Sequence, residues 1–228
     1  MAGATEIAVL PLKKGSSPKD LDSPPGQALK DSLEALGQVE GFQRCYWGIE
    51  VENPNVLDLF IDWDSIESHK KFQEDQSYRP FLERLGTILD GAPDLCHVYL
   101  SPHPATSALS DINAPVTEIL KAYFPASYSD SDKDTLTETM KRFLGILESA
   151  AEGYKGSAGG WSDEVVKIPG TEDDGKLFLT VVGWTSIEAH MKYRDTQAFK
   201  DSIPLLRNAK DLKKMDLVHV AFTEFQRG

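Results

Sequence analysis

The sequence is poor in the features that mark many specialised protein classes. Its 228 residues include only two cysteines, Cys45 and Cys96, and both lie in apolar, strand-like runs, so we expect core thiols rather than a disulfide framework. No run approaches the roughly 20 apolar residues of a membrane-spanning helix. The formal net charge is −12, which argues against the basic surfaces that bind nucleic acid or anionic membranes.

Targeting and metal-binding signals are equally scarce. Residues 1–6 contain no basic region, and no long apolar stretch follows them, so we predict no secretory signal and a cytoplasmic protein. The histidines never occur as His-x-His or His-x-x-x-His, Cys-x-x-Cys is absent, and no carboxylate pattern accompanies the histidines. The sequence therefore predicts no metal site. A phosphate-binding loop, a dinucleotide fingerprint and a nucleophile elbow are also missing.

What the chain does contain is an internal repeat. Residues 63–72 read WDSIESHKKF and residues 184–193 read WTSIEAHMKY, so Trp, Ser, Ile, Glu and His recur in register. Asp-Leu-x-His-Val recurs at 94–98 and 216–220, and Thr-Glu-Ile recurs at 5–7 and 117–119. Three echoes in one order indicate a duplicated small domain. We place the two repeats at 1–111 and 112–228, joined by a linker that contains Ser101-Pro-His-Pro.

Hydrophobic periodicity predicts the same element order, β-α-β-β-α-α-β, in both repeats. This order is typical of the ferredoxin-like arrangement and predicts the α+β class. Residues 177–182 are apolar on both faces of their strand, so both faces of the sheet need cover. We therefore expect the two sheets to pack on each other as one barrel. The predicted strands lie at 6–10, 42–51, 56–63, 95–100, 116–124, 159–168, 177–184 and 217–222, and the helices at 27–36, from 65, 78–89, 136–151, 186–193 and 197–208.

On these motifs the sequence resembles the antibiotic-biosynthesis-monooxygenase-like family of the dimeric α+β barrel superfamily, as a tandem-repeat member. The resemblance is carried by Trp-x-Ser-Ile-Glu-x-His at 63–69 and 184–190, each directly after a hairpin strand. An aromatic residue follows each His by three positions, and another, Tyr78 or Phe199, lies fifteen residues after each Trp. The resemblance covers nearly the whole chain. It implies a pocket between sheet and helices that is lined by Trp, Tyr and His.

The family includes haem-degrading enzymes and cofactor-free oxygenases of phenols. Haem degraders have a Trp and a His where this chain has Phe72 and Leu82, or Tyr193 and Ile203, and they have an Asn that is absent from both first strands here. Haem degradation is therefore not expected. The resemblance implies oxidation or binding of a small aromatic or polyketide-like molecule without flavin, haem or metal. Such chemistry needs no cofactor because a phenolate can pass an electron to O₂ directly.

A different interpretation is a non-catalytic, stress-related or ligand-carrying barrel whose repeated residues serve only architecture. A cavity of several hundred Å³ with a His or Tyr pointing inside would favour an enzyme or binder, and a packed interior would favour the non-catalytic barrel. Self-association into a homodimer stays open. Glu67 and Glu188 are interpreted as capping residues, in Asp64-x-x-Glu67 and Thr185-x-x-Glu188, rather than as catalytic acids.

The repeated histidines are the candidate catalytic residues. His69 and His190 could act as bases towards a phenol, or could each hold a helix to the sheet through a fixed hydrogen bond. His97 and His219 lie in mid-strand, and we expect them to point away from the helices. The first repeat, with the richer polar and aromatic set, is the better candidate for a working site. The candidate pocket residues are Trp47, Trp63, Phe72, Tyr78, His97, Tyr99, Trp161, Trp184, Tyr193, Phe199 and His219.

Overall fold

The structure, a computed structural model, describes residues 3–227, so the outermost residues of the predicted repeats, 1–2 and 228, lie outside it. Strands and helices follow one another along the described chain in an order that is broadly the same in its two halves. None of the described helices combines the length and apolar composition that crossing a bilayer requires. The elements are β1 (Ala4–Pro11), α1 (Pro24–Leu36), β2 (Phe42–Ile49), β3 (Val56–Trp63), α2 (Ile66–Glu74), α3 (Tyr78–Gly86), β4 (Asp94–Val98), α4 (Thr106–Leu109), β5 (Val116–Pro125), α5 (Asp130–Ala150), β6 (Tyr154–Trp161), β7 (Val166–Lys167), β8 (Asp174–Trp184), α6 (Ile187–Arg194), α7 (Gln197–Arg207), β9 (Lys214–Val220) and β10 (Thr223–Gln226).

The chain forms two compact α+β units. Unit 1 comprises residues 3–97 and 222–227, and unit 2 comprises residues 98–221. The sheet of unit 1 has the strand order β10-β2-β3-β1-β4, and the sheet of unit 2 has the order β6-β8-β5-β9 with β7 paired to β8. The predicted α+β class and the repeated element order are thus confirmed. The boundary between the repeats near residue 112 stays a prediction about the duplication, since the division by contacts falls after His97.

The sheet edge of each unit is covered by a chain segment from the end of the other repeat, which is a strand in unit 1 and a pair of isolated bridges in unit 2. In unit 1, β10 pairs with β2, and the Phe225 ring packs into the same core as Leu36. In unit 2, residues 98–101 bridge to β6 through Val98–Ser162 and Ser101–Gly159. An exposed strand edge presents unpaired backbone groups, and these segments cover the edges of β2 and β6.

Two elements were not predicted, the helix α4 and the strand β10, and several bounds differ from the sequence-based expectation. The short helix α4 packs against β6 and β8, which places the linker region in unit 2. Helix α5 begins at Asp130 rather than at 136, because the Ser129 side chain caps its first turn. Strand β6 begins at Tyr154 rather than at 159, and its glycine-rich sequence hid this start because glycine weakens the strand pattern.

A glycine with a left-handed backbone precedes the second strand of each repeat. Gly41 and Gly153 have φ angles of +87° and +89°. A side chain at Gly41 would collide with Ser68, and one at Gly153 would collide with Thr185 and Ala189. The two glycines therefore let the chain pass close to the start of α2 and of α6, which carry the motif histidines.

The helix caps differ from the predicted capping boxes. The N-cap residues of α2 and α6 are Ser65 and Ser186, each of which accepts a hydrogen bond from the backbone three residues on. These caps lie one position after Asp64 and Thr185, the caps that the sequence predicted. A capping box needs an acid or amide side chain three residues after the cap, and Ser65 and Ser186 have none there. Glu67 and Glu188 are exposed acids in the first turn, where they favour the helix electrostatically.

Both faces of the central strands are buried, as predicted. In β8, Phe178 and Val182 lie in the core beneath the helices of unit 2, while Leu177, Leu179 and Val181 on the opposite face are also at most 3% exposed. In unit 1, helices α1, α2 and α3 cover a core that contains Leu59, Ile61 and Trp63 of β3. The site described next lies on this helix-covered side of each sheet.

Candidate functional site

Each repeat places the same four polar or aromatic side chains together beneath its helices. A glutamate comes from the first strand, a tryptophan from the end of the third, one histidine from the following helix and one from the last long strand. All are buried, with at most 8% of each residue exposed. The clusters are Glu6, Trp63, His69 and His97 in unit 1, and Glu118, Trp184, His190 and His219 in unit 2.

In unit 1 three donor atoms converge on one point. The Nδ1 atom of His69 lies 2.8 Å from the Nε2 atom of His97 and 3.3 Å from the Oε2 atom of Glu6. The Trp63 indole donates its Nε1–H to the same Glu6 oxygen at 2.9 Å. The indole also stacks on the His69 ring, with centroids 5.1 Å apart and planes 11° apart, so packing holds the imidazole in place.

Unit 2 repeats the residues with a different connection. The Nδ1 atom of His190 lies 2.8 Å from the Nε2 atom of His219, as in unit 1. The glutamate, however, lies nearest the other ring nitrogen, with His190 Nε2 3.5 Å from Glu118 Oε2. The Trp184 indole donates to that Glu118 oxygen at 3.0 Å. The unit 2 cluster is thus a chain through the imidazole ring, whereas the unit 1 cluster meets at one nitrogen.

His97 and His219 face the helices, and the expectation that they point away from them was wrong. Each pairs with the histidine on the helix of its own repeat. The expectation assigned the helix-covered face to their apolar neighbours, Cys96, Val98 and Val220, which lie on the opposite face of the strands. A buried imidazole needs a hydrogen-bond partner, and the helix histidine supplies it.

Burial changes the acidity of the glutamate in unit 2. It raises the pKa of Glu118 from its ordinary value of 4.5 to about 7, although the Trp184 hydrogen bond, His219 and Arg194 all act in the opposite direction. A carboxyl with a pKa near neutrality can take up or release a proton under physiological conditions. In unit 1, burial and then the charge of Glu6 raise the pKa of the Tyr78 hydroxyl, while a hydrogen bond from Gln73 lowers it.

A small cavity adjoins the unit 1 cluster. It has a volume of about 40 Å³ and lies between the sheet and helices α2 and α3. Glu6 and His69 form its polar wall, and most of the remaining wall is aliphatic or aromatic. A water molecule needs roughly 10–15 Å³ in such a cavity, so this one accommodates a few waters or dioxygen but not an aromatic ring. Its aromatic lining residues are Trp63, Phe72, Tyr78 and Phe81.

An open groove lies on the other side of Phe72. The groove has a volume of about 470 Å³ and runs between the C-terminal end of α1 and helix α2, past Val39, Ser68 and Lys71. Phe72 lines both the groove and the cavity and is 5% exposed. Its side chain therefore separates the buried cluster from a space that is large enough for a small organic molecule.

The surroundings of the histidine cluster differ between the repeats at two informative positions. Ala8 lines the cavity in unit 1, and the corresponding residue of β5 is the buried Leu120. Gln73, whose Nε2 atom lies 3.3 Å from His69 Nε2, corresponds to Arg194. Unit 2 thus has a larger apolar side chain and a positive charge where unit 1 has a small residue and a neutral amide.

The remaining candidates lie outside the unit 1 cavity. Trp47 is buried in the core of unit 1 without lining the cavity. Trp161 donates to Thr137 and packs against Phe124 and Tyr128, away from the unit 2 histidines. Tyr99 is 43% exposed and does not line this cavity.

Two aromatic candidates of unit 2 do lie next to its histidine cluster. Tyr193 packs against the Trp184 ring, with the ring centroids 6.0 Å apart. Phe199 meets Tyr193 edge to face at 5.6 Å, just as Tyr78 meets Phe72 in unit 1. The structure therefore brings together the unit 2 counterparts of the aromatic cavity wall.

The two glutamates are the members of the clusters that the sequence analysis missed. Glu6 and Glu118 stand in the Thr-Glu-Ile echo, which was recognised only as evidence of duplication. A buried acid in the middle of an apolar first strand, repeated in both halves, was the available signal, because acids are rarely buried without a partner. The partners of each glutamate are the Trp and His residues of the other two repeated segments.

The comparisons with known proteins support the fold. No protein-family model and no curated protein matches the sequence. A solved structure described as anthrone oxidase-like matches all of this chain and 94% of its own, with a TM-score of 0.69 and 14% identity. Candidate monooxygenases from Lactobacillus acidophilus NCFM and Fusobacterium nucleatum match all of this chain, and 98% and 95% of their own, with TM-scores of 0.61 and 0.59 and 12% identity each.

At these identities the likeness shows the fold alone. It confirms, at the level of the fold, the resemblance to monooxygenase-like α+β proteins along the full length of the chain. The roles of the clustered side chains have to be argued from their own geometry.

Proposed function

We propose that unit 1 binds a small phenolic or polyketide-like aromatic molecule at the Glu6–His69–His97 cluster and promotes its oxidation by O₂. The observation that carries this proposal is a cluster of titratable groups, two of which, Glu6 and His69, lie in the wall of a cavity that is otherwise lined by aromatic and aliphatic side chains. Binding sites for small molecules are commonly apolar, with a few convergent polar groups. The full-length likeness to an anthrone oxidase-like protein is consistent with the same class of substrate.

The cluster is suited to removing a proton from a phenol or an activated methylene. His69 would take up the proton, and the neighbouring Glu6 carboxylate would stabilise the imidazolium that forms, because an opposite charge a few ångström away favours the charged form. The resulting carbanion or phenolate reduces O₂. For oxidation of a CH₂ group to C=O, one oxygen atom of O₂ enters the product and the other leaves as water, so no external reductant is needed.

Access requires Phe72 to move. The cavity of about 40 Å³ is too small for a ring, but the groove of about 470 Å³ begins directly behind Phe72. Rotation of this side chain would join the two spaces and place a ring that enters from the groove beside His69. If only a small fraction of the molecules has the two spaces joined, the apparent affinity for the ligand falls in proportion to that fraction. We therefore expect weak but specific binding.

The small size of the cavity favours a second candidate function, a non-catalytic carrier that binds in the groove alone. In both cases we place the protein in the cytoplasm. Cys45 and Cys96 are buried and form no disulfide, which suits a reducing compartment.

The proposal is tested by adding anthrone-type and simple phenolic compounds to the purified chain and measuring oxygen uptake and melting temperature. A ligand that binds only the folded state raises the melting temperature. We expect Glu6→Gln and His69→Gln to lower the rate of oxygen uptake by roughly 10²–10⁴-fold while ligand binding persists. The matched changes Glu118→Gln and His190→Gln in unit 2 should leave the rate within about twofold.

Ala8→Leu provides a separate control for the location of the site, because it introduces the side chain that unit 2 carries as Leu120. This change should abolish ligand-dependent stabilisation in a folded protein. Ligand binding without oxygen uptake would support the carrier, and equal losses from the unit 1 and unit 2 changes would contradict a site in unit 1.

A further inference from the structure

The three donor atoms of the unit 1 cluster have the chemistry and spacing of a metal site. Glu6, His69 and His97 each offer one ligand atom, all within 4.8 Å of one another, and all three residues are buried. Two imidazole nitrogens and one carboxylate oxygen form a ligand set that binds Zn²⁺, Fe²⁺ and related first-row ions. From this arrangement we propose that unit 1 binds one divalent first-row transition-metal ion through His69 Nδ1, His97 Nε2 and Glu6 Oε2.

The two distances from His69 Nδ1 to the other donor atoms are close to those between neighbouring ligands on one ion. With metal–ligand bonds of about 2.1 Å, adjacent donors lie about 3.0 Å apart in an octahedral site and about 3.4 Å apart in a tetrahedral one. The His69 Nδ1 atom lies 2.8 Å from His97 Nε2 and 3.3 Å from Glu6 Oε2. Shifts of a few tenths of an ångström would admit an ion in place of the proton that the two imidazoles share.

Supporting hydrogen bonds for the ligands are already in place. The Trp63 indole donates to Glu6 and stacks on His69, which orients both ligands. The Nε2 atom of His69, on the far side of the ring from the donor atoms, lies 3.3 Å from the Gln73 amide. If the Gln73 side-chain amide rotated by 180°, its oxygen would accept a hydrogen bond from the Nε2–H group of His69. A metal-bound imidazole usually donates its second ring N–H to an oxygen acceptor in this way.

The adjoining cavity leaves room for a further ligand on the ion. It is bounded by Glu6 and His69 and accommodates a few water molecules. Three protein ligands with one or more open positions are typical of catalytic rather than structural metal sites. Short ligand spacings in the sequence do not reveal this set, because its three members come from β1, α2 and β4.

Unit 2 contains the same three residues in an arrangement that does not suit an ion. Its histidine uses Nδ1 towards His219 and Nε2 towards Glu118. The two ring nitrogens of His190 face in different directions. One ion bound to His190 therefore cannot also reach both His219 and Glu118. Arg194 adds a positive charge that acts on Glu118, where unit 1 has the neutral Gln73. The chain therefore carries its own matched control.

The test titrates the full chain, freed of metal with a chelator, with Co²⁺ and Zn²⁺ and follows heat, Co²⁺ absorption and melting temperature. We expect one equivalent to bind with ligand-field bands in the visible range. Glu6→Gln, His69→Gln and His97→Gln should each weaken binding at least about 100-fold, since even changes to supporting residues cost 10–100-fold. The counterparts Glu118→Gln, His190→Gln and His219→Gln should bind within about twofold of the parent chain.

Circular dichroism of each variant without metal separates loss of binding from loss of folding, and His97→Asn is a smaller alternative if His97→Gln fails to fold. Absence of binding to the folded parent chain would overturn the inference, as would equal weakening by the unit 1 and unit 2 changes. The test of the inference is separate from that of the proposed function, because no organic ligand is present in the titration. A bound ion would occupy the atoms of His69 and Glu6 that the proton transfer uses, so that transfer applies to the metal-free chain. Phenol oxidation that persists in excess chelator would show that the reaction does not need the metal. Metal binding without any phenol oxidation would still support the inference.

Discussion

His69 and His97 share a single short contact, in which Nδ1 of one ring lies 2.8 Å from Nε2 of the other. One of the two nitrogens must carry the proton and the other must accept it, so the rings hold each other in complementary tautomers. His190 and His219 repeat the contact at 2.8 Å. The His69–His97 pair joins a helix to the last strand of the first repeat. It therefore contributes to packing as well as forming part of the candidate site.

The first prediction concerns the energy of this contact. We expect His69→Gln to lower the free energy of unfolding by about 1 kcal/mol, because Gln retains part of the hydrogen bonding. His97→Leu should lower it by about 1–3 kcal/mol, because it removes the nearest hydrogen-bond partner of the buried His69 ring. Urea unfolding of the single variants and of the double variant would measure the coupling. A coupling energy near zero would show that the contact does not stabilise the fold.

The second prediction concerns pH and Glu118. Its pKa rises from 4.5 to about 7 on folding, so between these values the folded chain keeps a proton that the unfolded chain has lost. This glutamate therefore contributes its full stability below about pH 4.5, and that contribution is lost as the pH rises to about 7. The loss amounts to at most about 3 kcal/mol, because a tenfold change in an acid dissociation constant corresponds to about 1.4 kcal/mol.

The measurement compares the wild-type chain with Glu118→Gln, which cannot titrate. The difference in their unfolding free energies should change across this pH window in favour of the wild type at the acidic end. Taking the difference cancels most of the contributions from other titrating groups. A constant difference between pH 4.5 and 7 would show that the carboxyl is ionised in the folded protein throughout the window.

The third prediction concerns the side chain that fills unit 2. Leu120 is 7% exposed and lies in the helix-covered core, at the position that Ala8 holds beside the unit 1 cavity. Leu120→Ala should cost about 2–5 kcal/mol, the range for a Leu removed from a packed core. Ala8→Leu should cost less, because a cavity already exists beside it. Thermal unfolding of both variants would test this order, and a larger cost for Ala8→Leu would indicate that the unit 1 cavity cannot take the extra methyl groups.

Repetition made much of the fold readable from the sequence, and it made the candidate site partly readable. The Trp-x-Ser-Ile-Glu-x-His segments identified the helix histidines and their tryptophans because both copies fall directly after a hairpin strand. The facing of His97 could not be read, since strand alternation defines two faces without stating which one the helices cover. Apolar neighbours were a poor guide here, because His97 is buried like Cys96 and Val98 on the other face of the strand, and its partner His69 decides the orientation.

The exchanged edge segments were also beyond the sequence. The four residues of β10, Thr-Glu-Phe-Gln, alternate weakly and follow a strand that was already complete by the pattern. Their structure depends on the edge of β2, which lies far away in the chain. Local patterns carry no information about such pairing, which is set by the unpaired backbone groups of the edge strand.

The last prediction concerns this C-terminal strand. Phe225 pairs with Cys45 in the sheet and packs against the Phe42 ring, with centroids 6.2 Å apart, while Glu224 approaches Arg44 at 3.8 Å. Phe225→Ala should lower the free energy of unfolding by about 2–3 kcal/mol, somewhat less than for a fully buried phenylalanine, because its ring is only partly buried. Gln226→Ala, at an exposed position of the same strand, should change it by at most about 0.5 kcal/mol. Hydrogen exchange should show that the Phe225 change lowers protection of the β2 amides more than that of the β6 amides, because β10 covers β2 alone. Equal loss of protection in β2 and β6 would contradict a local role for β10 in unit 1.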